Sequence, residues 1–254
     1  MSKIPVSVAI ITHNEELNIK GAIESVSDFA DVIVVDAFSK DSTVDICKQF
    51  NCRLFQHEWE GFASQKQKAV DYAELQWVLI LDADERVTPE LQKEIESKIS
   101  NTALKGFYIP RKNFFLGRWI KHSGWWPDHT LRLFRKDVSH MEQREVHEKV
   151  TVNGKVGYIQ SPLEHYTYRK LSDYIGKMEN YSSLSAKEMS DKGLLASIVS
   201  MLFSPVVVFI KMYIIRQGFR DGIHGIVLAA LYSIYTFLKY LKVLENRGVF
   251  SGRV

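Results

Sequence analysis

Two carboxylates, Asp82 and Asp84, stand one residue apart at the end of the run Trp77-Val78-Leu79-Ile80-Leu81. Such an apolar run predicts a buried strand. Side chains alternate along a strand, so the two acids should point the same way. Like charges aimed at one place repel unless something positive lies between them. A divalent cation that also holds a phosphate chain meets that need. The competing reading is a strand that ends in a solvated acidic turn, because Asp is frequent in turns.

The elements that must position these acids alternate strand and helix over residues 1–100. Val6–Ile11 is apolar and β-branched, which predicts a strand buried on both faces. Asn14 can cap the next helix, with Glu15 and Glu16 in its first turn. Val32–Val35 reads as a second buried strand that ends at Asp36. Asp41 or Ser42 can start a helix to about Phe50, Arg53–Gln56 reads as a short strand, and a helix is expected over 62–73. Thr88-Pro89-Glu90 is a helix start with a capping hydroxyl, Pro at the first position and an acid next. Alternation of this length implies a parallel sheet flanked by helices, in which ligands bind outside the carboxyl ends of the strands. Asn14, Asp36 and the Asp82/Asp84 pair all fall there, which weakens the acidic-turn reading.

After residue 100 the pattern changes. Gly106–Pro110 and Thr130–Phe134 read as strands. Residues 111–128 read as an aromatic loop with Trp119, Trp125 and Trp126. Residues 150–158 suggest a hairpin around Asn153-Gly154. From Ser172 a long amphipathic helix carries a packing stripe of Tyr174, Ile175, Met178, Tyr181 and Leu184. Leu194–Ile210 has no charged residue but spans only 17 residues, short of the roughly 20 that a bilayer-crossing helix needs. Ile223–Leu238 is a second apolar stretch, and basic and aromatic residues flank both. This composition fits helices that lie in a membrane interface, with a soluble helical subdomain, an oligomer interface or a hairpin dipping into the bilayer as alternatives.

Composition sets the frame. The 254 residues carry a formal net charge of +3 and are 46% hydrophobic. From Leu194 onward seven basic residues face two acidic ones, so the basic excess lies wholly in the tail. Interleaved with long aliphatic runs, these cations do not form the polar basic face of a nucleic-acid binder. Cys47 and Cys52 match no common metal or redox spacing, which suggests inert thiols in a reducing compartment. The first residues, Met-Ser-Lys-Ile-Pro-Val, lack the apolar core of a signal peptide, so a cytoplasmic location is expected.

Residues 8–16 (Val-Ala-Ile-Ile-Thr-His-Asn-Glu-Glu), 34–43 (Val-Val-Asp-Ala-Phe-Ser-Lys-Asp-Ser-Thr) and 81–85 (Leu-Asp-Ala-Asp-Glu) resemble the family 2 inverting glycosyltransferases of the GT-A fold. Residues 125–135, Val-His-Glu at 146–148, His-Tyr-Thr-Tyr at 165–168 and the tail around 218–222 are similar to the branch that adds glucose to the inner core of lipopolysaccharide. The resemblance implies an α/β fold: a mostly parallel central sheet in a GT-A domain over 1–170, with a helical membrane-interface appendage over 171–254. It implies that Thr12, Asn14, Glu15 and Asp36 hold the nucleotide base and ribose, although Ala37 stands where many members carry a second acid. It places Lys66 against the diphosphate, Asp82 against ribose or a metal-bound water, and Asp84 on a bridging Mg²⁺ or Mn²⁺.

Inverting transfer also needs a general base for the acceptor hydroxyl. Glu148 fits best by order in the chain, with Asp128 and Glu145 as alternatives. His147 and His165 are candidates for a metal or diphosphate contact, with a structural hydrogen-bonding role as the equal alternative for each. The expected donor is a UDP-sugar, above all UDP-glucose. The expected acceptor is a membrane-anchored glycolipid, the heptose of the lipopolysaccharide core, on the inner face of the cytoplasmic membrane. A polyprenyl phosphate or capsule precursor is the alternative acceptor, a homo-oligomer is compatible with the sequence, and no nucleic-acid partner is expected. A silent nucleotide-sugar binding protein is a remote alternative. A dinucleotide-binding dehydrogenase is disfavoured, because Thr12-His13-Asn14-Glu15 stands where a Gly-x-Gly-x-x-Gly turn should follow the first strand.

Overall fold

The computed structural model describes residues 3–100, 102–142, 149–189 and 193–250. The chain forms two compact units. The first comprises residues 1–112 and 128–165, the second 113–127 and 166–254. Against an expected division at residue 170, the chain passes between the units at 112/113, 127/128 and 165/166. Residues 113–127 group with the C-terminal helices.

Unit 1 is built on a mixed sheet. Strands β1 (Ile4–Thr12), β2 (Phe29–Asp36), β3 (Arg53–Gln56) and β4 (Trp77–Asp82) form its parallel half in the order β3-β2-β1-β4. Helices α1 (Ile19–Glu24), α2 (Thr43–Cys47), α3 (Phe62–Asp71) and α4 (Pro89–Ser100) connect or follow them. Val6, Val8 and Ile10 enter one hydrophobic cluster, whereas Ala9 and Ile11 enter another. β1 is thus buried on both faces, as its β-branched run predicts. Beyond β4 the order continues β8 (Asp128–Arg135), β6 (Gly106–Phe115), β12 (Leu163–Tyr168) and β5 (Glu85–Val87), with β8 antiparallel to both β4 and β6 and β12 antiparallel to β5.

Three local expectations are corrected. Asn14 is not a helix cap: it takes a left-handed conformation (φ 54°), and α1 begins only after Asn18. The aromatic stretch after residue 110 is a loop only in part. β6 runs to Phe115, and the two-residue strand β7 (Arg118–Trp119) folds back on it. Asn153-Gly154 makes a turn but no hairpin. β10 (Lys149–Val152) pairs with β9 (Ser139–Glu142), while β11 (Val156–Tyr158) pairs in parallel with β6.

Unit 2 is helical. Helix α5 (Leu171–Glu188) buries Tyr174, Ser182 and Ala186, so its packing face follows an i, i+4 row. Ile175, Tyr181 and Leu184, expected on that face, are exposed instead. Phe115, Trp125, Tyr168, Tyr174 and Tyr232 meet largely edge to face in the core of this unit. That is a packing role for Trp125. Helix α6 (Leu194–Ile210) continues through a wider turn, giving an apolar helix of 22 residues from Leu194 to Ile215. Helix α7 (Ile223–Asn246) has 24 residues. By length and composition both could cross a membrane, and α6 is longer than its charge-free run suggests. Lys242 on α7 donates to the Glu179 carbonyl and to Ser182 and Ser183 hydroxyls, tying α7 to α5.

Candidate active site

The candidate site is built where the parallel strands end. In the register of β1, Thr12 lies beside Asp36 of β2, and Ile11 beside Asp82 of β4. Two strand-end acids therefore flank one strand. Because β8 is antiparallel to β4 (Leu79 beside Leu133), the start of β8 is carried to the same edge. Asp128 opens β8 and pairs in register with Arg111 of β6. Sequence order hides this approach, since Asp82 and Asp128 lie far apart in the chain.

An unbroken series of alternating charges runs along this edge. Lys66 Nζ is 3.0 Å from Asp82 Oδ1. Arg132 donates from Nη2 to the other Asp82 oxygen and, at 2.7 Å, to Glu85 Oε1. Glu85 is wholly buried, and its second oxygen accepts from the Asp82 backbone N–H at 3.0 Å. Arg111 Nη1 lies 3.6 Å from Glu85, and its Nε and Nη2 both donate to Asp128 Oδ2, at 3.0 and 2.6 Å. A buried carboxylate is tolerated only when it is paired and hydrogen-bonded, and every acid of this series is. Burial would push the Asp82 pKa up, but the Arg132 and Lys66 charges overcome it and hold the carboxyl well below the usual carboxylate range.

The acidic pair itself looks different from its strand-based picture. β4 stops at Asp82, and Ala83-Asp84 forms a turn before β5. Strand alternation therefore does not extend to Asp84. The positive charge that Asp82 requires comes from Lys66 and Arg132. Asp84 instead faces His165 of β12, with Oδ2 3.5 Å from Nε2. These side chains are 16% and 13% exposed, respectively. Among the described residues no group of three or more His, Cys, Asp or Glu side chains converges on one point. A carboxylate and an imidazole do suit a divalent cation whose other ligands come from a diphosphate and water, Mn²⁺ accepting nitrogen more readily than Mg²⁺.

The other predicted residues form the loops beside the acids. Asp36 is fully buried and accepts from the Ser39 backbone N–H (2.9 Å), the Ser39 hydroxyl and Gln56 Nε2 (3.0 Å). Asn14 ties the first loop to the second: its N–H donates to Ser39 Oγ, and its Oδ1 accepts from the Lys40 N–H, both at 2.8 Å. The left-handed conformation that permits this is one Asn tolerates. The Glu15 N–H donates to Thr43 Oγ1, and its carboxylate accepts from Asn18. Ala37, in the place of a second acid, donates its N–H to the Thr12 carbonyl at 2.9 Å. Two buried polar atoms at this edge lack a hydrogen-bond partner among the described residues, Thr12 Oγ1 and Arg132 Nε. Glu145, His147 and Glu148 lie outside the described residues.

Arg132, Glu85 and Arg111 were not among the expected site residues. One signal was available: a lone Arg between Leu131 and Leu133 in an apolar strand has to find a buried acid. Glu85 and Arg111 become visible only through the strand register.

This sheet with its flanking helices is the GT-A fold. *Staphylococcus aureus* TarS in complex with UDP superposes with a TM-score of 0.50 at 16% identity, covering 97% of this chain and 92% of that one. *Mycobacterium tuberculosis* glucosyl-3-phosphoglycerate synthase, solved with Mn²⁺, UDP and glucosyl-3-phosphoglycerate, also reaches 0.50, at 14% identity over 73% and 78%. The family model described as glycosyl transferase family 2 matches residues 7–166, and the chain belongs to that family. Among its relatives, the lipopolysaccharide core biosynthesis glycosyltransferase LpsC of *Rhizobium meliloti* is 26% identical over 97% of this chain and 94% of its own length. An uncharacterized glycosyltransferase of *Rickettsia typhi* is 30% identical over 97% and 90%.

Proposed function

We propose that this glycosyltransferase moves glucose from UDP-glucose, with inversion, onto a membrane-anchored glycolipid, the heptose of the lipopolysaccharide inner core. The near full-length similarity to a lipopolysaccharide core glycosyltransferase supports the acceptor class. The two long apolar helices support work at the cytoplasmic face of the inner membrane. The observation that carries the chemistry is the charge series from Lys66 to Asp128, because it joins a donor end to an acceptor end.

At the donor end Thr12, Asn14, Glu15 and Asp36 would hold the nucleoside, the partnerless Thr12 hydroxyl being suited to a ligand hydrogen bond. Lys66 would face the diphosphate and Asp82 the ribose. Asp84 and His165 would hold Mg²⁺ or Mn²⁺, which when bound stabilises the charge on the departing diphosphate as a Lewis acid.

At the acceptor end we take Asp128 as the base. Arg111 fixes one of its oxygens through two N–H donors, which orients the carboxylate. The base accepts the hydroxyl proton as the new bond forms on the face opposite the leaving group. Glu148 and Glu145 are the competing assignments. Turnover of UDP-glucose on deacylated core glycolipid, with Mg²⁺ or Mn²⁺, tests the scheme. Asp128→Asn should lower kcat by about 10²–10⁴-fold with donor binding retained. If Glu148→Gln or Glu145→Gln does this and Asp128→Asn does not, the base is reassigned. Near wild-type turnover in Asp84→Ala would remove the metal role of Asp84.

A further inference from the structure

Unit 2 contains a cleft of about 500 Å³ lined by Arg118, Trp119, Lys121, His122, Arg220 and Asp221. It lies at the turn Gly218–Asp221 that links the two long apolar helices. The far wall is the segment after β6, held to that turn by hydrogen bonds. The Lys121 and His122 backbone N–H groups donate to the Asp221 carboxylate, and the Ser123 N–H donates to the Arg216 carbonyl. A Cβ on Gly225 would run into the Gly218 carbonyl oxygen, so the turn and the start of α7 are in close contact.

The charges of this cleft do not cancel. Asp221 is buried and committed to two backbone N–H groups and the His122 ring. Arg118, Lys121 and Arg220 are exposed, and none is paired with a carboxylate among the described residues. Lys121 Nζ sits over the Trp119 ring at 4.6 Å, and Arg220 donates to the neutral Gln217 amide. Three cations thus share one opening with an acid that is already saturated. Arginine forks match phosphate oxygens, and exposed lysine adds a point charge. The chain on either side of the turn is apolar and exposed: Ile215 and Ile223 are 70% and 68% exposed, and Ile214 and Phe219 are also exposed. Exposed apolar side chains next to cations in the chain are the pattern of a bilayer interface, where apolar groups enter the acyl region and cations meet lipid phosphates.

We propose that Arg118, Lys121 and Arg220 form a binding site for the phosphate of an anionic membrane-lipid headgroup, so that this turn is the point where the chain grips the bilayer surface. The proposal rests on the membrane reading above and adds the site and the chemistry. It is tested on the full chain by flotation with vesicles of phosphatidylcholine alone or mixed with phosphatidylglycerol. The wild type should bind the mixed vesicles more tightly. Arg118→Gln, Lys121→Gln and Arg220→Gln should each cut that preference by about fivefold, and the triple variant should lose it while still binding neutral vesicles and releasing UDP from UDP-glucose. Removing equal charge elsewhere, by Lys93→Gln, Lys98→Gln and Lys155→Gln in unit 1, should leave the preference intact. A triple cleft variant with undiminished preference overturns the site but not membrane association. Wild-type protein that binds neither vesicle overturns the membrane reading itself. Loss of the preference to inorganic phosphate at constant ionic strength would reassign the cleft to free anions.

Discussion

The two units handle charge and apolar surface in opposite ways. In unit 1, Lys66, Asp82, Arg132 and Glu85 are drawn into the sheet, and each finds an opposite charge. In unit 2, apolar side chains such as Leu195, Phe203, Val206 and Ile215 stay outside, and Arg118, Lys121 and Arg220 remain at the surface. Buried pairs in a poorly solvating interior cost desolvation and gain little net stability. They do fix polar groups in place before a charged substrate arrives, which is the condition for electrostatic catalysis. Exposed aliphatic rows do nothing for a chain in water and suit one whose neighbour is lipid. One unit takes its charges into the interior as pairs, and the other leaves its apolar side chains exposed.

The most severe way to break that contrast is Arg132→Met. It keeps much of the volume but leaves Asp82 and Glu85 facing each other in the interior. Breaking a buried pair from one side typically costs about 3–5 kcal/mol. The matching change in unit 2, Arg220→Met, removes an exposed cation and should stay within about 0.5 kcal/mol. Urea unfolding of the two variants reads the difference. Equal losses would mean that the series in unit 1 is no more structural than a surface charge.

Acid titration separates the units more gently. The Asp82 pKa is depressed in the folded chain, so its stabilisation is complete above the unfolded value of about 4 and is lost as pH falls through the folded one. Unfolding free energy should therefore fall as pH drops below about 4, and Asp82→Asn should flatten that slope. A slope unchanged in Asp82→Asn would show that other carboxylates carry the acid sensitivity.

These contrasts were unevenly legible in the sequence. Asp36 and Asp82 could be placed at strand ends because apolar runs stop at them, and parallel neighbours bring such ends to one edge. Lys66 could be placed only through family likeness. The remainder of the series depends on the antiparallel register of β8 with β4 and β6, which no local signal encodes. Asn153-Gly154 illustrates the same limit, since a turn motif fixes a reversal and not the strand each arm will join. Asn14 shows a polar residue whose preference for caps gave way to a bridging role between two loops. In unit 2 the length of the first apolar helix was underestimated, because Lys211 ends the charge-free run but not the helix.

The smallest effect expected is at Thr12, and its sign is informative. Its hydroxyl is buried at the end of β1 with no partner among the described residues, a deficit usually worth about 1–3 kcal/mol. Thr12→Val keeps the shape and removes the deficit, so the ligand-free chain should be unchanged or more stable, by up to about 1 kcal/mol. If the hydroxyl is kept for the nucleoside, UDP affinity should fall at the same time, since the ligand group that met it loses its partner. Melting with and without UDP measures both quantities. A variant that is less stable and binds UDP as well as the wild type would mean that the hydroxyl serves the fold. Higher stability with weaker binding would mark unit 1 as holding a polar group unsatisfied in advance of its substrate.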